Sequence, residues 1–168
     1  MSDYVSLSIY IKFSFSYLTL RDDGFSLSGL AASSVCGGDS ETEAQANGLI
    51  KSHTSENSKR PLYPKLYKDN LKCSLTVKGF GPKAQVMMRT ELFELEDKDG
   101  TDSLTMTGSD STIKYGSLDP GTTFEVTASE QGELLFKFAT DGSISGCGFV
   151  LSYRGKSGHR AAENAVCK

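Results

Sequence analysis

The chain has 168 residues and a formal net charge of −3, which is enough for one ordinary domain and a further fragment. The mild acidic surplus argues against a nucleic-acid partner, which would need a basic surface, and gives no attraction to anionic membranes. There is no Trp, while Gly, Phe and Tyr are plentiful. Because helical apolar stripes are also scarce, the composition favours an all-β class.

The first segment predicts a single strand. Apolar and polar side chains alternate over residues 5–17, which is the period of a half-buried strand. The segment is a poor match to a signal peptide, because Asp3 replaces the basic start and Lys12 interrupts the apolar residues. It is also too broken for a transmembrane helix. Residues 21–34 are predicted to be a turn and a small-residue stretch.

The rest of the chain predicts a series of short strands. Cys36-Gly37-Gly38 marks a sharp break, and residues 39–60 are polar and predicted to be mostly loop. From Pro61 onward, alternating runs recur with turn signals between them, which implies a sandwich or barrel. These runs are residues 73–77, 86–92, 104–106, 124–126, 134–138 and 149–153.

Four cysteines bear on the cellular compartment. An even number in a Gly-rich β chain suggests disulfides in an oxidising compartment. The alternative is a set of reduced, buried thiols in a cytosolic protein. No two of them have C-x-x-C spacing, which argues against a zinc or redox motif. The four are Cys36, Cys73, Cys147 and Cys167.

No motif for catalysis is found. The sequence contains no H-E-x-x-H, no G-x-S-x-G and no glycine-rich phosphate loop. The two histidines, His53 and His159, lie in polar segments and are interpreted as surface residues. The sequence therefore predicts a protein that is not an enzyme.

Six segments, in the same order, resemble motifs of the CUB domain family. The resemblance implies a jelly-roll β-sandwich over residues 36–154, in agreement with the strand pattern. Residues 155–168 would then be a tail or the start of a following module. The segments are Cys36-Gly37-Gly38, Tyr63-Pro64-Lys65-Leu66-Tyr67, Cys73, Phe93-Glu94-Leu95-Glu96, Asp102-Ser103-Leu104-Thr105-Met106, and Phe138-Ala139-Thr140-Asp141-Gly142-Ser143 followed by Gly148-Phe149-Val150-Leu151-Ser152-Tyr153.

Residues 17–34 are similar to the same closing motif in a degraded form, with Leu30 where Phe is usual. We therefore interpret residues 1–34 as the C-terminal remnant of a preceding CUB-like module, a weak repeat of residues 134–153. An atypical leader is the alternative. The remnant would make the chain a fragment of a tandem multi-CUB extracellular protein.

The resemblance also implies a disulfide pattern. Cys36 and Cys73 match a bonded pair of the family. The family's second disulfide is missing, with Asp99 or its neighbours and Tyr115 near the expected positions. Cys147 and Cys167 are additional, and they could bridge each other. Alternatively, Cys167 opens a further module.

A calcium site is the main functional implication of the resemblance. Glu96, Asp102 and Asp141 match the three acidic residues of calcium-binding CUB domains, and Tyr67 matches the tyrosine that supports that site. Ser143 is close enough in sequence to Asp141 to lend an oxygen. Ca²⁺ takes oxygen ligands from separate loops, and clustered carboxylates without a cation would repel one another.

Taken with the family, these residues predict an extracellular, non-catalytic binding module that recognises a protein ligand in a calcium-dependent way. Basic side chains of the partner would dock at the site. No membrane insertion by this segment is expected. Two alternatives stay open: a calcium-independent structural spacer in a multi-CUB protein, favoured by the missing second disulfide, and the non-catalytic part of a secreted protease that contains CUB domains.

Overall fold

The computed structural model describes residues 30–54, 66–96 and 101–155. Within these ranges, ten strands form two five-stranded sheets around one hydrophobic core, so the predicted all-β jelly-roll sandwich is confirmed. The first sheet has the order β1-β3-β10-β5-β8 and the second β2-β4-β9-β6-β7. The strands are β1 Ala32–Ser34, β2 Glu41–Glu43, β3 Asn47–Lys51, β4 Lys72–Lys78, β5 Gln85–Glu94, β6 Ser103–Thr107, β7 Ser111–Lys114, β8 Thr123–Thr127, β9 Leu134–Ala139 and β10 Gly148–Gly155.

Alternation along the strands fills the core. In β9, Leu134, Phe136 and Phe138 are fully buried while the residues between them are not, because successive side chains point to opposite faces of a strand. Phe138 packs edge-to-face on Phe149 of the other sheet, with ring centroids 5.4 Å apart. Aromatic contacts of this kind therefore join the two sheets. The described residues include no helix that could span a membrane.

The prediction that residues 39–60 are mostly loop is wrong for β2 and β3. β2 has no apolar side chain and is held by parallel pairing with β4 and by an ion pair of 2.8 Å between Glu41 and Lys78. β3 is paired on both edges, by β1 and β10, and its three central residues are all buried. Neither strand therefore shows the alternation of a strand with one solvated face.

Two further strands, β1 and β7, are absent from the predicted set. β1 pairs in parallel with β3, so the sandwich begins before Cys36, and Ala32–Ser34 forms part of the first sheet. Residues 1–29 of the predicted remnant, which include its strand over residues 5–17, lie outside the described residues. The proposed partial repeat therefore stays a prediction.

The disulfide between Cys36 and Cys73 is confirmed, with an S–S distance of 2.05 Å. Cys36 follows β1 of the first sheet, and Cys73 lies in β4 of the second sheet. The bond therefore joins the two sheets covalently.

Candidate metal centre

Three carboxylates converge at one end of the sandwich. Asp102 directly precedes β6 and Asp141 follows β9, and these strands are antiparallel neighbours, with Ser103 opposite Ala139. Glu96 follows β5 of the other sheet. One oxygen from each of Glu96, Asp102 and Asp141 lies within 4.8 Å of the other two. The structure thus brings together three residues that are widely spaced in the sequence.

Tyr67 connects two of these residues. Its hydroxyl donates a hydrogen bond to Asp102 Oδ2 at 2.5 Å and accepts one from the backbone N–H of Glu96 at 3.2 Å. Its ring is buried and packs edge-to-face on Phe138, with centroids 5.3 Å apart. Burial, followed by the hydrogen bond to Asp102, raises the pKa of Tyr67 to about 12. The hydroxyl therefore stays protonated at neutral pH and remains a donor.

Asp102 is fully buried and held through both oxygens. Oδ2 accepts from Tyr67, and Oδ1 accepts from the backbone N–H of Asp141 at 2.9 Å. Asp141 in turn accepts hydrogen bonds from the backbone N–H of Ser143 at 2.8 Å and from its hydroxyl at 3.0 Å. Ser143 is thus placed beside Asp141, as its position in the sequence suggests, and its exposed hydroxyl is oriented by that carboxylate.

Glu96 has a buried oxygen without a hydrogen-bond partner. The residue is 6% exposed, and its Oε2 accepts from Thr101 Oγ1 at 3.1 Å. Its Oε1 is buried and has no hydrogen-bond partner among the described residues. A buried carboxylate oxygen left unpaired is energetically unfavourable. A cation between the three carboxylates would satisfy it, and an all-oxygen donor set is the kind that Ca²⁺ prefers.

The loop of residues 66–70 packs on the loop of residues 141–146. The backbone N–H of Tyr67 donates to Gly146 O at 3.1 Å, and Ser145 Oγ donates to Asp69 Oδ1 at 2.7 Å. Sequence reasoning missed Asp69, Ser145 and the contact of Thr101 with Glu96. Nothing in their local sequence distinguishes them from other polar loop residues, although Asp69 lies two residues after the Tyr67 motif.

Cys147 lies beside the candidate centre, half-buried and not disulfide-bonded to any described residue. Burial, and then a hydrogen bond to Glu94, raise the pKa of its thiol. Because the thiolate is the reactive form, this thiol is a poor nucleophile at neutral pH. Its predicted partner Cys167 lies outside the described residues, so the possible bridge stays a prediction.

Tyr67→Phe is expected to lower the free energy of unfolding by about 1–3 kcal/mol. The substitution keeps the ring contact with Phe138 but leaves the Glu96 N–H without its acceptor and Asp102 Oδ2 without its donor. Urea unfolding followed by circular dichroism measures the change. Tyr115→Phe is the matched control, because Tyr115 is an exposed tyrosine. Equal stability of the two variants would contradict the role given to the Tyr67 hydroxyl.

Comparison with known proteins identifies the family. The sequence model of the CUB domain matches residues 36–153 of the chain. The chain belongs to the CUB domain family. CUB domains are protein-interaction modules, generally non-catalytic and typically extracellular. No curated protein sequence matches the chain.

Three solved structures share the fold of this chain. The full extracellular region of zebrafish Gpr126/Adgrg6 is similar at 21% identity and a TM-score of 0.53, over 73% of this chain and 15% of that one. The CUB1-EGF-CUB2 domains of human MASP-1/3 are similar at 22% identity and a TM-score of 0.52, over 71% of this chain and 42% of that one. The MASP-1 CUB2 domain bound to Ca²⁺ is similar at 24% identity and a TM-score of 0.50, over 71% of this chain and 99% of that one. The present chain therefore spans less than half of the first two structures.

Proposed function

We propose that this CUB domain is an extracellular module that binds a protein partner in a calcium-dependent way, through basic side chains of that partner. The observation that carries the proposal is the buried, unpaired Oε1 of Glu96, which belongs to a cluster with the carboxylates of Asp102 and Asp141. Hydrogen bonds among the described residues leave this oxygen of the cluster unsatisfied. A divalent cation would satisfy it.

Glu96, Asp102 and Asp141 would hold the ion, and the Ser143 hydroxyl is placed to assist. Tyr67 would keep Asp102 oriented through its hydrogen bond. A bound calcium ion would offset the repulsion between the carboxylates and tie together loops that come from both sheets. The Ca²⁺-bound state of the MASP-1 CUB2 domain supports the choice of metal for a site on this fold.

The same end of the molecule favours a cationic partner. Two more carboxylates, Asp69 and Glu94, belong to exposed residues in the segments that carry the centre. We call the five residues Asp69, Glu94, Glu96, Asp102 and Asp141 the acidic tip. Five carboxylates exceed the two positive charges of one calcium ion, so lysine or arginine side chains of a partner would be attracted.

Calcium titration tests the proposal. At a calcium concentration about 100 times the dissociation constant, the free energy of unfolding should rise by about 2.7 kcal/mol. Asp141→Ala should lose this increment, because it removes one of the three carboxylates. The variant should still fold, because Asp141 supports Asp102 only through its backbone N–H, which alanine keeps. Urea unfolding with CaCl₂ or with a chelator measures the difference.

Asp110→Ala is the matched control, because Asp110 is an exposed aspartate in the turn before β7, away from the acidic tip. This variant should keep the full increment. If the wild-type protein shows no calcium-dependent shift, the proposal fails and the alternative of a calcium-independent structural spacer is favoured.

A further inference from the structure

Ile144 has a combination of features that fold stability does not explain. Its side chain is 70% exposed, so it contributes little to the core. Its φ of 44° lies in the left-handed region, which β-branched residues disfavour. Glycine adopts this conformation without steric cost. Strain of this kind is often kept where a residue serves a function other than stability.

The surroundings of Ile144 combine apolar and acidic groups. It lines an open cavity of about 380 Å³ together with Leu95 and the acidic residues Glu94 and Glu96. Leu66, which is 60% exposed, lies in the neighbouring loop, next to the Tyr67 backbone that bonds Gly146. Two exposed apolar side chains, Leu66 and Ile144, therefore lie in the loops that carry the acidic tip.

We propose that Ile144 is an apolar anchor for the partner, and that the partner segment carries a basic side chain directly beside an apolar one. The basic group would face the acidic tip, and the apolar group would pack on Ile144. This inference rests on the proposed function and extends it to the kind of segment that is recognised. An apolar anchor with a polar rim around it is a common arrangement in protein interfaces.

Charge argues against a second copy of this chain as the occupant. In a two-fold dimer the same patch lies on both sides of the interface, so two acidic tips would face each other and repel. A segment with a lysine or arginine is complementary instead. The basic charge and the adjacent apolar side chain together define the partner.

Two synthetic peptides test this inference in the presence of CaCl₂. Both are acetylated and amidated, and their sequences are Gly-Leu-Lys-Leu-Gly and Gly-Ser-Lys-Ser-Gly. Chemical-shift titration should show that the wild-type protein binds the leucine peptide about tenfold more tightly, the effect expected for burial of one aliphatic contact. Ile144→Gly should remove this preference and leave the melting temperature unchanged or higher.

Ile113→Ser is the matched control, because Ile113 is an exposed isoleucine, at 57%, on the edge strand β7. This variant should keep the preference. Equal binding of the two peptides by the wild-type protein, or an unchanged preference in Ile144→Gly, would overturn the anchor. A dimer in sedimentation that is lost in Ile144→Gly would also overturn it, in favour of a second copy.

The calcium titration separates this inference from the proposed function. A wild-type protein that binds calcium but does not distinguish the peptides lacks the anchor, while the calcium-dependent function stands. A wild-type protein that binds no calcium contradicts the proposed function. In that case, a preference for the leucine peptide measured with a chelator present would show that Ile144 acts as an apolar anchor without calcium.

Discussion

Replacement of Cys36 and Cys73 together by alanine is expected to lower the free energy of unfolding by about 4 kcal/mol. The two residues are 37 positions apart, and in the chain-entropy model closing a loop of this length restricts the unfolded chain by about that amount. The bond also joins the two sheets, so its loss removes a covalent restraint from the native state. Urea unfolding under non-reducing conditions measures the difference.

Cys147→Ala is the control for this experiment, because Cys147 has no disulfide partner among the described residues. If the Cys147 thiol is free, its replacement should cost far less than the double replacement. A loss below about 1 kcal/mol in the double variant would contradict the stabilising role of the bond. Titration of free thiols in the unfolded wild-type protein also decides whether Cys147 and Cys167 form the second bridge, since bridged cysteines do not react.

Phe138→Ala is expected to lower the free energy of unfolding by about 3–5 kcal/mol. The side chain is fully buried and lies between the rings of Tyr67 and Phe149. Its removal would leave a cavity in the core directly beneath the candidate metal centre. We therefore expect a lower calcium affinity as well, because Tyr67 would lose the ring that positions it.

Phe124→Ala is the matched control for this core substitution. Phe124 is only partly buried, on the edge strand β8, and its ring lies 4.6 Å from Lys114 Nζ. A smaller loss of stability and an unchanged calcium affinity are expected. Equal losses in the two variants, measured by urea unfolding, would contradict the central position given to Phe138.

The sequence predicts the strands in which apolar side chains alternate and fails for those without this alternation. β4, β5 and β9 alternate clearly, and the predicted segments fall within them. β2 consists of Glu41, Thr42 and Glu43 and is stabilised by backbone pairing and one ion pair. No hydrophobic pattern can reveal such a strand, because its stability comes from partners that are distant in the sequence.

The candidate site shows a similar division. Its three carboxylates and Tyr67 could be named from the family motifs, and the structure places them together. The unpaired Oε1 of Glu96 could not be predicted, since it depends on which donors reach that oxygen in the folded protein. The left-handed conformation of Ile144 is equally invisible in the sequence, because isoleucine rarely adopts it.

The Cys36–Cys73 bond and the candidate metal centre lie at the same end of the sandwich, near the C-terminal ends of β5 and β9. The opposite end is closed by side-chain packing such as the contact of Phe80 with Tyr153, whose ring centroids are 5.4 Å apart. With calcium bound, one end of the sandwich would be restrained by both the disulfide and the metal ion, and the other end by side-chain packing. Partial separation of the two sheets would then begin at the far end. The acidic tip would keep its shape while the rest of the domain fluctuates.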